Sequence, residues 1–209
     1  MSRGLGDVYK RQSEEEVQLF CCQADVKGIV YGNETFRFQG STLNLLGTAY
    51  SAGKLQIAGG DLHIAEKIEN ASQIELPNYM TDILDNMKQN TGIEEIAEYN
   101  MANVTNPTIC KTTTRAWCNR VNIFADLVSN GDISFNANVM TLGYKDPVVI
   151  ASENGDITIQ ATNVNGNGLI YAPNGTVTIN VCDFDYKGSI IAKKINIQAT
   201  YYQHKIEDK

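Results

Sequence analysis

Asp183 and Asp185 flank a phenylalanine in VCDFDYKG, and in an extended chain that spacing turns both carboxylates to one face. Neighbouring carboxylates are the equipment for paired acid and base chemistry, or for holding Ca2+. His63, in GDLHIAEK, is a second candidate for proton transfer, but it lies between Leu62 and Ile64 and is read as an outward surface residue. Asp132 and Asp156 stand in turns, where carboxylates are ordinarily solvated corners. Five cysteines (Cys21, Cys22, Cys110, Cys118 and Cys182) include no C-x-x-C pair, and only two histidines accompany them, so the sequence assigns no metal site. Cys110 and Cys118, eight positions apart, are the pair that could close a loop in an oxidising compartment. Cys182 reads as an inward-facing small hydrophobe. Apart from Gly59-Gly60 the glycines occur singly, and none belongs to a phosphate-cradling loop; no cofactor or catalytic residue is assigned.

These side chains are carried by an acidic chain. Against 24 Asp and Glu stand 17 Lys and Arg, for a net charge of -7, which repels phosphate backbones and argues against nucleic acid as a partner. No run of about 18 apolar residues is present to span a bilayer. With 209 residues, 43% of them hydrophobic, the chain can bury one substantial core.

What positions the candidates is a repeat. GIVYGNETFRF from Gly28, GTAYSAGKLQI from Gly47, FADLVSNGDISF from Phe124, PVVIASENGDITI from Pro147, GLIYAPNGTVTI from Gly168 and GSIIAKKINI from Gly188 share one pattern: apolar strand, turn, alternating strand. A third alternating segment precedes the next opening glycine. Gly28 to Gly47 is 19 residues and Gly168 to Gly188 is 20, the period of a stacked-coil architecture. A meander of hairpins has no need of a three-strand period. The reading is therefore an all-β chain, a parallel β-solenoid with three short strands and about 20 residues per rung, plus a small α-helical insertion.

Alternation orients the side chains. Second-strand pairs such as Phe36/Phe38, Ile133/Phe135, Ile157/Ile159 and Ile195/Ile197 point inward as ladders, joined by third-strand Leu43/Leu45, Leu62/Ile64, Thr162/Val164 and Cys182/Phe184. In the first strand, Val30, Ala49, Val149, Ile170 and Ile190 are placed inside, with Ala151, Ala172 and Ala192 near the corner. That leaves Tyr31, Tyr50, Ile150 and Tyr171 as an outer apolar stripe, which requires a cover or an interaction partner. Asn130-Gly131, Asn154-Gly155 and Asn174-Gly175 mark a corner expected to need positive φ.

Rungs are expected over 28–71 and 121–209, with 13–27 a partial rung or linker. The pattern lapses over 72–120. There Met80, Ile83, Leu84 and Met87 have helical spacing, followed by Asn90-Thr91-Gly92, and IEEIAEYNMA offers a second, weaker helix. The excursion is expected to lie over the outer stripe or an end of the solenoid. Four N-x-[ST] sequons, at Asn33, Asn70, Asn103 and Asn174, are what a turn repeat rich in Asn and Thr contains anyway.

GLIYAPNGTVTINVCDFDYKGSIIAKKINIQ, with its G-x-I-x-A-x-x-x-x-I-x-I rhythm, is similar to bactofilins, whose β-helices polymerise end to end, and resembles more closely the β-helical modules of large exported bacterial surface proteins. The closer resemblance implies a non-catalytic structural or adhesive module outside the cell, with a protein or glycan partner. Bactofilins imply a cytoskeletal polymer self-associating through solenoid ends, although the helical insertion departs from them. A third resemblance, to polysaccharide lyases and hydrolases, points to Asp183 and Asp185 but lacks their Asp-Asp, His-Gly and Arg-x-Lys elements. Back-translated, residues 2–12 of MSRGLGDVYKRQ resemble one frame of a transposase adapter used in sequencing libraries. That resemblance implies that residues 1–12 are disordered and foreign, with the native frame entering near Ser13.

Overall fold

The computed structural model describes residues 10–89, 94–96, 99–100, 102–143 and 145–204. Among the described residues the strands pair in parallel, and the chain winds into a β-solenoid of about eight turns with roughly 19 residues per rung. In chain order the strands are β1 (Lys10–Ser13), β2 (Glu16–Val26), β3 (Ile29–Gly32), β4 (Thr35–Ser51), β5 (Lys54–Ala58) and β6 (Asp61–Ile68). After helix α1 (Met80–Lys88) come β7 (Glu94–Ile96), β8 (Tyr99–Asn100), β9 (Asn103–Val104), β10 (Thr108–Cys110) and β11 (Thr114–Ile123). The remainder are β12 (Leu127–Ser129), β13 (Ile133–Leu142), β14 (Val148–Ser152) and β15 (Ile157–His204), the last winding through more than two rungs without a break.

The stack does not follow the chain. β2 lies between β4 and the last part of β15, with Ile195 opposite Val17 and His204 opposite Val26. The first rung thus docks on the last. The stack runs from Glu94 to His204, crosses a non-covalent seam to β1, and continues to Ile68. The seam repeats the contacts of covalently successive rungs. Ser129, Ser152 and Ser51 each donate from a buried corner to a carbonyl of the rung before, at 2.9, 2.9 and 3.1 Å, and Ser13 does the same across the seam to Lys193 at 2.6 Å. The helical excursion therefore does not return to the rung it left; it carries the chain to the opposite end of the stack.

The core is the expected set of second-strand ladders. Thr114, Ile133 and Ile157 stack in register, as do Ala116, Phe135 and Ile159; across the seam Ile195, Val17 and Phe36 continue one ladder and Ile197, Leu19 and Phe38 the other. All are 3% exposed or less. Burying one such aliphatic side chain is worth about 1.5–3 kcal/mol. At the end rung Leu55, Ile57, Leu62 and Ile64 stay half-buried, because nothing stacks beyond them among the described residues.

Several expectations are corrected. Ile150 pairs with Leu127 and Ile170 and is 1% exposed in the main core, whereas Val149 and Ala151 face outward. Val148–Ser152 is buried on both faces, so its alternation carries no phase. At the second corner Val181 turns inward while Thr162 and Cys182 are exposed. Rungs begin at Glu94 rather than Val121: the segment read as a second helix contains β7 and β8, and β10 and β11 complete a full rung. That rung fills ladder positions with Thr108, Cys110, Thr114 and Ala116, too polar or small to register as an apolar alternation. Positive φ falls at the opening glycines, such as Gly188 at 130°, rather than at the Asn-Gly corners. At those corners glycine serves close packing; a Cβ on Gly175 would run into the carbonyl of Gly155.

Residues 1–9 lie outside the described residues, but 10–12 do not lack structure as expected. β1 pairs with Ile190–Ala192 on one side and Ile29–Gly32 on the other. Arg11 thereby takes the inward place held by Val30 and Ile190, 2% exposed, with Nε donating to Tyr202 Oη and Nη1 to Gly188 O, both at 2.9 Å. Its guanidinium lies 5.6 Å from the Tyr186 ring centroid and 5.9 Å from that of Tyr202. A guanidinium in an aliphatic ladder carries a desolvation cost that isoleucine would not. Arg11→Ile combined with Tyr202→Phe, which removes the hydroxyl Arg11 serves, is expected to stabilise the fold by about 1–4 kcal/mol. A urea midpoint lower than that of the parent chain refutes this placement.

Candidate functional surfaces

Asp183 and Asp185 share one face of their strand. Phe184 points inward at 1% exposure, Asp183 is exposed and Asp185 half-buried. Among the described residues no three His, Cys, Asp or Glu side chains cluster to hold a metal ion. His63 is exposed on the end rung, its Nε2 3.1 Å from Asp61 Oδ1. Asp132 and Asp156 act as corner braces: Asp132 Oδ1 accepts from the Asp156 N–H at 2.9 Å, and Asp156 Oδ1 from the Thr176 N–H at 2.7 Å. Each ties its turn to the next rung.

Cys110 and Cys118 are not joined. Cys110 is buried at the first corner, its thiol toward Thr113 O at 3.1 Å; Cys118 lies at the second corner, its thiol toward Arg120 O at 3.0 Å. The extended segment 114–118 holds the two corners about 13 Å apart, beyond the reach of a disulfide.

The outer stripe is covered by the chain itself. Leaving the end rung, the segment 69–79 runs back across the stack as a strap. Tyr31 Oη donates to Ser72 O, Asn33 Nδ2 donates to Ile74 O at 2.8 Å, and Asn33 Oδ1 accepts from Ile74 N at 2.9 Å. Asn33 is thus engaged and 9% exposed, which removes it as a glycosylation acceptor. Farther along, Tyr171 Oη donates to Pro77 O at 2.8 Å and accepts from Tyr79 N at 3.1 Å, with the Tyr79 and Tyr171 rings 5.9 Å apart.

Then α1 begins, with Asp82 in its first turn and Lys88 in its last, both matched to the helix dipole. Met80, Ile83 and Met87 pack on Val128, Val149, Leu169, Tyr171 and Ile191. Of the four predicted stripe residues, Tyr31 and Tyr171 lie beneath the strap, Tyr50 is half-exposed beside Tyr31 with ring centroids 5.9 Å apart, and Ile150 is in the core. The stripe is a fastening for an internal segment. Tyr171→Phe is expected to cost about 1–3 kcal/mol, because it strips two buried partners from the strap, and to speed protease cleavage within 72–89. Unchanged cleavage there would show that the hydroxyl does not hold the strap.

A second surface went unnoticed in the sequence because each rung contributes only one residue to its file. At the outward end of the second strand stand Trp117, Asn136, Gln160, Asn180, Gln198 and Phe20, ordered by the β11, β13 and β2 registers, between Gln160 and Asn180 by the offset that sets Gly175 on Gly155, and between Asn180 and Gln198 by the hollow that both line. Asn136 Nδ2 donates to Gln160 Oε1 at 3.3 Å. A parallel file at the adjoining corner begins with Asn119 and Asn138, whose side chains bond at 2.6 Å, and proceeds through Thr162, Cys182, Thr200 and Cys22 to Ser41, both cysteines exposed. Trp117, the sole tryptophan, is 72% exposed. Reading the residue directly after each inward pair, rung by rung, is the signal that would have found this file.

No helix among the described residues is long and apolar enough to cross a membrane. No family model, curated protein or solved structure matches the chain.

Proposed function

We propose that the chain is a non-catalytic structural or adhesive module of a larger bacterial exported or cell-surface protein. The observation that carries this reading is the strapped, laddered stack: stacked aliphatic rungs form a stiff rod, and a lengthwise internal strap ties rungs on both sides of the seam. Such a rod holds its outer faces in fixed geometry, which suits a spacer that displays a surface. The resemblance of the GLIYAPNG-type rungs to exported surface modules supports the extracellular setting. Small-angle scattering on the purified chain is expected to give an elongated, monodisperse monomer. A genomic copy of the gene encoding neither an export signal nor a surface anchor would overturn the exported assignment.

A bactofilin-like polymer is the second reading, favoured by one feature: Leu55, Ile57, Leu62 and Ile64 present a half-buried ladder at the end of the stack, open to another rung. Ordered filaments in electron micrographs of the purified chain would establish it over the first.

A further inference from the structure

We infer that the file from Trp117 to Phe20 is a binding surface for an extended, uncharged polysaccharide. The surface has three properties that together specify such a ligand. The first is its neutrality. Between Trp117 and Gln39 in one file, and between Asn119 and Ser41 in the other, no residue carries a charge, although the chain as a whole carries -7. Acidic glycans and nucleic acids demand cations at successive positions; none stands in either file, and Arg37, whose guanidinium lies 5.9 Å over the Phe20 ring, is a single charge at one end. Amides and hydroxyls, which both donate and accept, match the hydroxyls of neutral sugars.

The second is the exposed aromatic at one end. An indole 72% exposed is a platform on which the apolar face of a sugar ring can stack while its hydroxyls reach the neighbouring amides. The third is shape. Two hollows lie along this edge. One, bordered by Trp117, Asn119 and Asn138, measures about 420 Å3; the other, bordered by Phe20, Gln39, Asn180 and Gln198, about 740 Å3. Both are open depressions rather than enclosed pockets, a form that suits an extended chain lying across them. Successive rungs repeat every ~4.8 Å, so the side chains form an evenly spaced row that favours a ligand with its own short, regular repeat over an irregular protein surface. The larger hollow straddles the seam, since Gln198 and Phe20 come from opposite ends of the chain, and the surface is complete only when the last rung is docked on the first. None of this depends on where the chain resides in the cell.

The test is native-gel electrophoresis of the full chain through hydroxyethylcellulose, galactomannan and polygalacturonate, with titration of tryptophan emission by cello- and chito-oligosaccharides. At least one neutral glycan is expected to retard the protein and shift its emission to the blue. Trp117→Ala is expected to weaken that binding tenfold or more with an unchanged thermal midpoint, because the side chain is largely solvated, and Asn180→Asp with Gln160→Glu to weaken it comparably. Failure of every neutral glycan to bind the folded protein, retention by polygalacturonate alone, or wild-type binding by Trp117→Ala would each overturn the inference.

Discussion

Ile159→Asp is expected to abolish the cooperative thermal transition and leave a chain with little β-sheet circular dichroism at 25 °C. Ile159 is fully buried, in register with Phe135, in a ladder that runs through most of the stack. A carboxylate there is enclosed by aliphatic and aromatic side chains with no cation or donor of its own to meet it. The penalty for an uncompensated buried charge is several kcal/mol, comparable with the whole ~5–15 kcal/mol stability of an ordinary domain. Protonation lessens the penalty without removing it, because the neutral acid still needs a hydrogen-bond partner. Thr158→Asp, one residue away on the outer face and half-exposed, is the matched control and is expected to shift stability by no more than about 0.5 kcal/mol. A wild-type-like melt for Ile159→Asp would mean that the inward assignment of the second strands is wrong.

That assignment was readable because the second strands are one-sided. Ile157 and Ile159 alternate with Thr158 and Gln160, so period two has a phase and the phase gives the face. Where a strand is buried on both sides the phase disappears, and Val149 and Ile150 traded places: the helix supplies an apolar environment to the outside as the core does to the inside. The rung from Thr108 to Ile123 was invisible for the opposite reason. Its inward Thr108, Cys110 and Thr114 pack in a core made by their neighbours while presenting no apolar alternation of their own. The helix was legible at its buried face, since Met80, Ile83 and Met87 share one side of a helix wherever the helix sits.

Stack order was not legible at all, and the reason is physical. Every rung of a parallel solenoid offers the same backbone edges and similar ladders, so local sequence says which residues face inward but not which rung lies above which. In the folded chain the strand registers set the order, and the strap's partners agree with it. Ser72 meets Tyr31, Ile74 meets Asn33, and Pro77 meets Tyr171, which places rungs from both halves of the chain under one continuous segment. The same logic makes the polar file hard to see: a lone Gln or Asn on an outer strand is an ordinary solvent-facing residue until the stack sets it among five others.

Alkaline pH is the condition under which this interior is expected to fail. Phe184, Tyr186 and Tyr202 stack with centroids 5.4 and 5.3 Å apart, Phe184 against each tyrosine, and burial pushes both phenols above their ordinary range. Arg11 opposes that shift only in part. Burial, with the neighbouring Cys22 adding to it, likewise pushes the Cys21 thiol up to about 12. A group whose folded pKa is raised holds its proton in the folded state after the unfolded chain has released it. The unfolded state then binds fewer protons, and stability falls as pH rises. The contribution is therefore fully present below about pH 9 for Cys21 and about pH 10 for the tyrosines, and is lost above those values at up to about 1.4 kcal/mol per pH unit for each group. Urea midpoints measured under reducing conditions are expected to be level on this account between pH 7 and 9 and to drop steeply by pH 11. Tyr186→Phe should soften the drop, because it removes one proton that unfolding would release while leaving the ring stack in place. A midpoint at pH 11 equal to that at pH 8 would mean that these groups open to water without unfolding, and that the aromatic cluster is not the closed interior described.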